Sequence, residues 1–438
     1  MISGVRVGDR VRIRKGPLIY EGVVLPKSEF SSENVLVIKL DNGYNVGIDV
    51  SGAEVEVIEE NVVGFHESGL SRSVVKGGGN LRITFLSTGG TIVSKVDYET
   101  GAVRPAITAT ELLEAVPEFA DYASELAVIE YSRLFSEDLT PAYWAELGSE
   151  VGRLIESGVD GVLIAHGTDT MTYTASALAF ALRNLPVPVI LVGSQRSSDR
   201  PSSDSVLNMK ASLTIFKEAP FGEVVVCMHG TISDDYVLAH RGVKVRKMHS
   251  SRRDAFQSIN DAPLARVDFP GMRFKMLNPR FIARGRREDF QVVSKFSDRV
   301  VLLKFYPGME CGIIDFLVDR GYRAIVIEGT GLGHIRNACV DSVARATEEG
   351  VLTIVTTQTI FGRVNMNVYS TGRRLLKAGA IPGHDILSEV AYVKLSWMLG
   401  SYPGLDRKDY VELFHRNIAY EYNPIHKDSL FPVWSHEY

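Results

Sequence analysis

The stretch Gly161-Val162-Leu163-Ile164-Ala165-His166-Gly167-Thr168-Asp169-Thr170-Met171 changes character at its middle. Its first part is a short, uniformly apolar run, which suits a strand buried on both faces of a parallel sheet. Gly167 punctuates it, and MTYTASALAFALRNL continues with the composition of a helix. The same alternation recurs along the chain. LRITFLS, VPVILVGS, EVVVCMHG, RVVLLKFY, RAIVIEGTG and VLTIVTTQT are further apolar runs bounded by turn residues. PAYWAELGSEVGRLIESG, LNMKASLTIFKEA, IIDFLVDRG and NACVDSVARATEEG are the helical candidates between them. The layout predicts doubly wound α/β sheets, whose ligand sites belong at the carboxyl ends of the strands. The stretch from about Asp268 to Asp298 reads as a polar, Arg-rich loop that divides a larger α/β domain from a smaller one.

The first sixty or so residues have another texture. VRVGDRVRIRK, YEGVVLPK, NVLVIKLDNGYNVGIDV and AEVEVIEE alternate with a period near two, and Asp41-Asn42-Gly43 is a hairpin signal. With no helical pattern between them, these runs predict a small SH3-like β-barrel. Gly77-Gly78-Gly79 reads as a flexible joint. The expected domains are therefore a barrel over 1–75, a larger α/β domain over 80–285 holding the active site, and a smaller one over 299–438.

At 438 residues, with 48 Lys and Arg against 53 Asp and Glu, the chain has a formal charge of −5 and an ordinary globular composition. That excludes a disordered chain and gives no general pull toward nucleic acid or anionic lipid. Cys227, Cys311 and Cys339 are odd in number and far apart, so neither a disulfide framework nor a cysteine-built zinc site is expected. The N-terminal residues show no apolar signal core and no run is long enough to span a bilayer. The expectation is a soluble, cytoplasmic protein with no membrane association.

Two threonine turns follow predicted strands: Ser87-Thr88-Gly89-Gly90-Thr91 and His166-Gly167-Thr168-Asp169-Thr170. Glycines beside hydroxyl residues let backbone N–H groups approach a ligand closely, as an oxyanion hole requires. Thr168 or Thr170 could cap the following helix, whose N-terminus favours an anion. Each turn alone reads as an ordinary strand-to-helix connection; together they converge on one site. A threonine nucleophile needs a partner to take its proton, and a lysine oriented by a carboxylate serves. Asp169 is the evident carboxylate, and chemistry alone does not choose between Lys244 and Lys247.

TGGTI, HGTDT and the segment VRKMHSSRRDAF, in that order, resemble the L-asparaginase/glutaminase amidohydrolases over roughly Leu81 to Trp397. The resemblance implies Thr88 as the nucleophile attacking a side-chain amide, with Thr168, Asp169 and a lysine as a second triad. Alignment on Phe256 makes that lysine Lys247. Tyr98 matches the family's lid tyrosine, and Ser136 the serine that holds the substrate's α-carboxylate. Gly89 and Gly90 belong to the first motif. Glu137 stands where ordinary members have glutamine, which implies an acidic group near the substrate's amino end. Gly329-Thr330-Gly331-Leu332-Gly333 lacks the asparagine that the family lends to a neighbouring subunit, so no cross-subunit role is assigned to Leu332 or Asn365.

A small barrel fused to an asparaginase-like body resembles the ammonia-supplying subunits of archaeal Glu-tRNA(Gln) amidotransferases. This implies release of ammonia from glutamine or asparagine for a GatE-type partner that converts Glu-tRNA(Gln) to Gln-tRNA(Gln). It also implies a homodimer within a heterotetramer. A stand-alone asparaginase/glutaminase is the alternative. No G-K-[ST] phosphate loop is present, so no cofactor is expected in this chain, and ATP with Mg is expected in the partner. The histidines show no metal-ligand spacing. Gly329-Thr330-Gly331-Leu332-Gly333-His334 is a turn, since His334 replaces the last glycine of a dinucleotide loop. The six basic residues from Arg241 to Arg253 read equally as a positive lining around the site or a solvated loop. Arg6, Arg10, Arg12, Arg14 and Lys15 suggest an RNA-facing strip, but 8 Lys and Arg against 11 Asp and Glu leave −3 over Met1–Val75, which suits a protein-facing adaptor as well.

Overall fold

The structure is a computed structural model that describes residues 5–6, 8–25, 32, 34–42, 44–59, 72–89, 94–96, 103–105, 112–113, 116–196, 202–426 and 430–431. The N-terminal strands Arg10–Lys15, Leu18–Leu25, Val35–Leu40, Asn45–Asp49 and Glu54–Glu59 form one antiparallel sheet, in which the last strand returns to pair with the first. Alternation places Val11 and Ile13 inside with Val24, Ile38 and Ile48. The intervening basic residues are neutralised within the domain: Arg10 pairs with Asp41, Arg12 with Glu21 and Glu56, Arg14 with Glu54, and Lys15 with Asp49. The strip is an ion-pair ladder, not a bare positive face.

All seven apolar runs are strands, but the larger sheet is mixed where a parallel one was expected. Its nine strands run Arg273–Met276, Ala265–Asp268, Tyr236–Arg241, Val224–His229, Val189–Val192, Gly161–Ala165, Leu81–Ser87, Ala123–Glu130 and Arg72–Lys76. The five from Val224–His229 to Ala123–Glu130 are parallel, and the flanking strands are antiparallel. Tyr236–Arg241 escapes an apolar-run reading because it carries the buried polar residues His240 and Arg241.

The triple glycine corrects the expected joint. Arg72–Lys76 pairs along Glu125–Ile129, and Gly77, Gly78 and Gly79 donate to the carbonyls of Ser124, Ala120 and Ala123. A Cβ at Gly77 would sit 2.3 Å from Ala123 O, and one at Gly79 2.1 Å from Tyr122 O. Glycine is needed there for close approach of two backbones, so the segment is a packed turn.

The smaller body has a parallel sheet of Val300–Lys304, Ala324–Gly329, Leu352–Thr357 and Ile381–Pro382. A disulfide joins Cys311 to Cys339 across 28 residues, contrary to the expectation of unpaired cysteines; only Cys227 is free. Nothing in the spacing of the three signals that pair. The two bodies meet where helix Ser388–Ser401 packs on helix Met171–Ala181, with Trp397 stacked on Phe180 at 5.8 Å. The Arg-rich stretch between them is tied down through its cations. Arg284 donates to Phe216 O and Ala219 O, and Arg287 to Ile155 O and Val159 O, which satisfies carbonyls at the ends of helices Ser205–Glu218 and Pro141–Glu156.

Candidate active site

Strands Leu81–Ser87 and Gly161–Ala165 are parallel neighbours with Ser87 opposite Ala165, so the two threonine turns leave the sheet side by side at its carboxyl edge. Thr88 is 2 % exposed, and both its N–H and its Oγ1 donate to Ala165 O, at 3.0 and 2.9 Å. Ser132 Oγ donates to Thr88 O at 3.0 Å. Gly89 has φ +107°, and a Cβ there would lie 2.3 Å from Leu134 O. Only glycine fits that backbone and that approach.

The second turn is built by a similar economy of space. A Cβ at Gly167 would fall 2.8 Å from Ser136 Oγ, so its absence lets the buried Ser136 lie against the turn. Thr170 precedes helix Met171–Ala181 without capping it. Its hydroxyl donates to Ser136 O at 2.7 Å instead, tying the Ser136 segment to the HGTDT motif. Glu137 is exposed next to Ser136, and the two share a 3.5 Å contact. Behind the turn, His166 is fully buried, and burial pushes its pKa down to about 4. It is a neutral core histidine.

Lys247 lies in the short strand Val245–Lys247, paired with Phe256–Ser258. Its Nζ donates to Thr168 Oγ1 at 2.9 Å and to Asp169 Oδ1 at 2.7 Å. Lys244 takes another course. It is completely buried and donates to Asp385 Oδ2 at 2.8 Å in the seam between the two bodies. Burial drives its pKa below the usual lysine range, against the pull of Asp385.

The expected residues thus separate into groups. Thr88 and Gly89 form one turn, and Thr168, Asp169 and Lys247 are joined by hydrogen bonds on the next, with Ser136 against it. Glu137 reaches this neighbourhood at the surface. Tyr98 and Gly90 lie outside the described residues. Ser136, Glu137 and Thr170 also border a cavity of about 300 Å³ walled by Trp144, Tyr173 and Tyr392. The basic segment resolves into pairs: Arg241 with Glu223 and Asp261, Lys244 with Asp385, Arg246 with Glu389, Lys247 with Asp169, Arg252 with Asp254, and Arg253 with Asp234. It is therefore not an uncompensated positive lining; its His249–Arg252 turn is exposed, while Arg241 and Lys244 are buried. Sequence reasoning missed Ser132 and Tyr143, whose side chains stand 2.7 Å apart beside Thr88. Neither belongs to a motif. Among the described residues no group of three or more His, Cys, Asp or Glu is placed to hold a metal ion, and no helix is long and apolar enough to cross a membrane.

Three family models match the chain: Asparaginase, N-terminal, over residues 82–279; Glutaminase/Asparaginase C-terminal domain over 299–414; and GatD N-terminal domain over 5–58. The GatD subunit of the glutamyl-tRNA(Gln) amidotransferase of Metallosphaera sedula is 48% identical over 434 residues, covering 99% of this chain and 96% of that protein. Its counterpart in Saccharolobus solfataricus is 48% identical over 435 residues, with the same coverage. Among solved structures, the thermostable L-asparaginase of Thermococcus kodakarensis superposes with a TM-score of 0.70 at 30% identity, over 78% of this chain and 99% of that one. L-asparaginase I of Vibrio cholerae gives 0.68 at 28% identity, over 79% and 100%. By fold, motifs and full-length similarity, the chain belongs to the GatD family of glutamyl-tRNA(Gln) amidotransferase subunits, asparaginase-type bodies with an added N-terminal domain.

Proposed function

We propose that this chain hydrolyses the side-chain amide of glutamine, or of asparagine, and delivers the ammonia to a GatE-type partner that converts Glu-tRNA(Gln) to Gln-tRNA(Gln). The observation that carries the chemistry is Lys247, bridging Thr168 Oγ1 and Asp169 Oδ1 on the turn beside Thr88. In this reading Ser136 and Glu137 receive the α-carboxylate and α-ammonium of the substrate, with Tyr98 closing over it. Thr88 Oγ attacks the amide carbon. The developing oxyanion is assigned to N–H groups of the Gly89-Gly90 and Thr168 turns, since donors aimed at that oxygen stabilise the charge as it develops. The C–N bond breaks, the nitrogen takes up the hydroxyl proton and leaves as ammonia, and an ester on Thr88 remains. Water, deprotonated through Thr168 and Lys247 with Asp169 orienting the amine, hydrolyses that ester and restores the Thr88 hydroxyl. ATP and Mg belong to the partner, and the working assembly is a homodimer of this chain inside a heterotetramer in the cytoplasm.

The test is ammonia release from glutamine and from asparagine, with and without the partner and charged tRNA. Acceleration by partner and Glu-tRNA is expected. Equal, fast hydrolysis of asparagine by the chain alone would instead favour the stand-alone amidohydrolase. Thr88→Ala is expected to lose several orders of magnitude in rate with the fold intact; near-normal turnover would remove Thr88 from the nucleophile's role.

A further inference from the structure

The carbonyl of the proposed nucleophile is held by a hydroxyl relay that begins in another element. Ser132 lies just past strand Ala123–Glu130, where its N–H and that of Tyr131 both donate to Ser87 O, at 3.1 and 2.8 Å. Its Oγ then donates to Thr88 O at 3.0 Å. A serine hydroxyl carries one hydrogen, so that bond uses it. The 2.7 Å contact between Ser132 Oγ and Tyr143 Oη must therefore be donated by the phenol. Tyr143 is fixed in turn. It sits in the first turn of helix Pro141–Glu156, where its N–H donates to the capping Thr140 Oγ1 at 3.3 Å, and its ring meets Tyr131 edge-on at 5.8 Å. With the Thr88 hydroxyl donated to Ala165 O at 2.9 Å, the phenol gives its own hydrogen to Ser132. Burial raises its pKa, an effect opposed by the Ser132 and Thr88 hydroxyls, so it is neutral at physiological pH.

We propose that Tyr143 and Ser132 are positioning residues for the nucleophile: the directed chain Tyr143 Oη–H to Ser132 Oγ–H to Thr88 O fixes the peptide from which the Thr88 hydroxyl attacks. The inference rests on Thr88 being the nucleophile. The role is distinct from the lid role implied for Tyr98: Tyr143 stands on helix Pro141–Glu156 and acts on the nucleophile's own peptide. It acts through the backbone of Thr88 and leaves substrate contacts untouched, so its loss should fall on kcat and not on KM.

Tyr143→Phe removes the hydroxyl and keeps the ring. We expect kcat for ammonia release by the full complex to fall about 10- to 100-fold, the scale of an ångström-level misplacement of a reacting group, with KM within twofold of wild type. Ser132→Ala should reproduce the loss, Ser132→Thr should restore most of it by keeping a hydroxyl, and the double variant Ser132→Ala/Tyr143→Phe should be no worse than either single one. Unchanged kcat in Tyr143→Phe overturns the proposal. So does a loss that appears in KM, or one that Ser132→Thr fails to recover while melting as wild type. Thr88→Ala separates this failure from failure of the underlying reading. An active Thr88→Ala discards the nucleophile itself, whereas an inactive Thr88→Ala beside a fully active Tyr143→Phe discards only the relay.

Discussion

Lys244 and Lys247 are three residues apart in one strand-end segment, and each pairs with a carboxylate, yet they occupy opposite electrostatic worlds. Lys244 is fully buried, and its partner Asp385 is also held by Asn423, whose N–H and Nδ2 both donate to it. Lys247 is 12 % exposed at its side chain, and its partner Asp169 is 72 % exposed. A buried pair held by three hydrogen bonds and closed off from solvent has little to offer a substrate. It locks the seam between the two bodies. A pair with one open carboxylate and a hydroxyl in line can exchange a proton. What distinguishes Lys244 from Lys247, the lysine proposed to be reactive, is the exposure of the partner carboxylate, which the residue types do not disclose.

Paired substitutions break or sharpen that contrast. Lys247→Ala should reduce amide hydrolysis by about 10²–10⁴-fold, the usual contribution of general acid–base catalysis, and should shift stability by about 1 kcal/mol at most because Asp169, the carboxylate left behind, stays solvated. Lys244→Met should do the reverse: it leaves Asp385 buried without its cation, costing about 3–5 kcal/mol, while turnover per folded molecule stays near wild type. Denaturant titration with steady-state ammonia release on both variants checks this. A Lys244→Met enzyme that melts normally but has lost its turnover would reverse the two assignments.

The elements legible in the sequence were those whose burial is simple. Period-two runs became the N-terminal sheet, and uniformly apolar runs became parallel strands, because in each case one rule governs every side chain. Legibility failed where burial is compensated by a distant partner. Tyr236–Arg241 hides as a strand because Arg241 is buried against Glu223 and Asp261. The cations of 241–253 read as uncompensated because every carboxylate partner lies outside that stretch, Asp254 just beyond its end and the others far away in sequence. The Cys311–Cys339 bond spans 28 residues without a motif, and the Tyr143–Ser132 pair joins a helix to a strand end. The family pattern names Thr88, Thr168, Asp169 and Lys247 by position, and the structure sets Lys247 against Thr168 and Asp169 on the turn beside Thr88.

The same contrast between spent and spare groups extends to histidine, where pH reads it out. His240 is fully buried; its Nδ1 meets Ser258 Oγ at 2.8 Å and its Nε2 has no partner among the described residues. Burial pushes its pKa down to about 3, from an ordinary 6.5. Above pH 6.5 both folded and unfolded forms are neutral there, and His240 contributes no pH dependence. Below it the unfolded chain takes up the proton and the folded one does not, so stability falls until pH reaches the folded value. At pH 5 the loss is about 2 kcal/mol, and His240→Asn, which cannot titrate, should flatten that part of the acid limb. His166, lowered to about 4 for the same reason, adds to the slope over a narrower window. An acid limb of unchanged slope in His240→Asn would place the pH dependence elsewhere.

The smallest effect is expected where every charge is both paired and wet. Arg12 and Arg14 in the N-terminal sheet face Glu21, Glu56 and Glu54, all with exposed side chains. Such pairs contribute about 0–1 kcal/mol each, so Arg12→Ala or Arg14→Ala should barely move the melting temperature. Their value is diagnostic. If the strip bound RNA, removing two cations would weaken tRNA binding by the complex and reduce its salt dependence by about two contacts' worth. The ion-pair ladder predicts the contrary: tRNA affinity and its salt slope stay at wild-type values, because these guanidinium groups are already committed to carboxylates on the neighbouring strands. A drop in the slope on Arg12→Ala/Arg14→Ala would show that the ladder opens to nucleic acid, and would move these arginines from the spent to the spare side of the comparison.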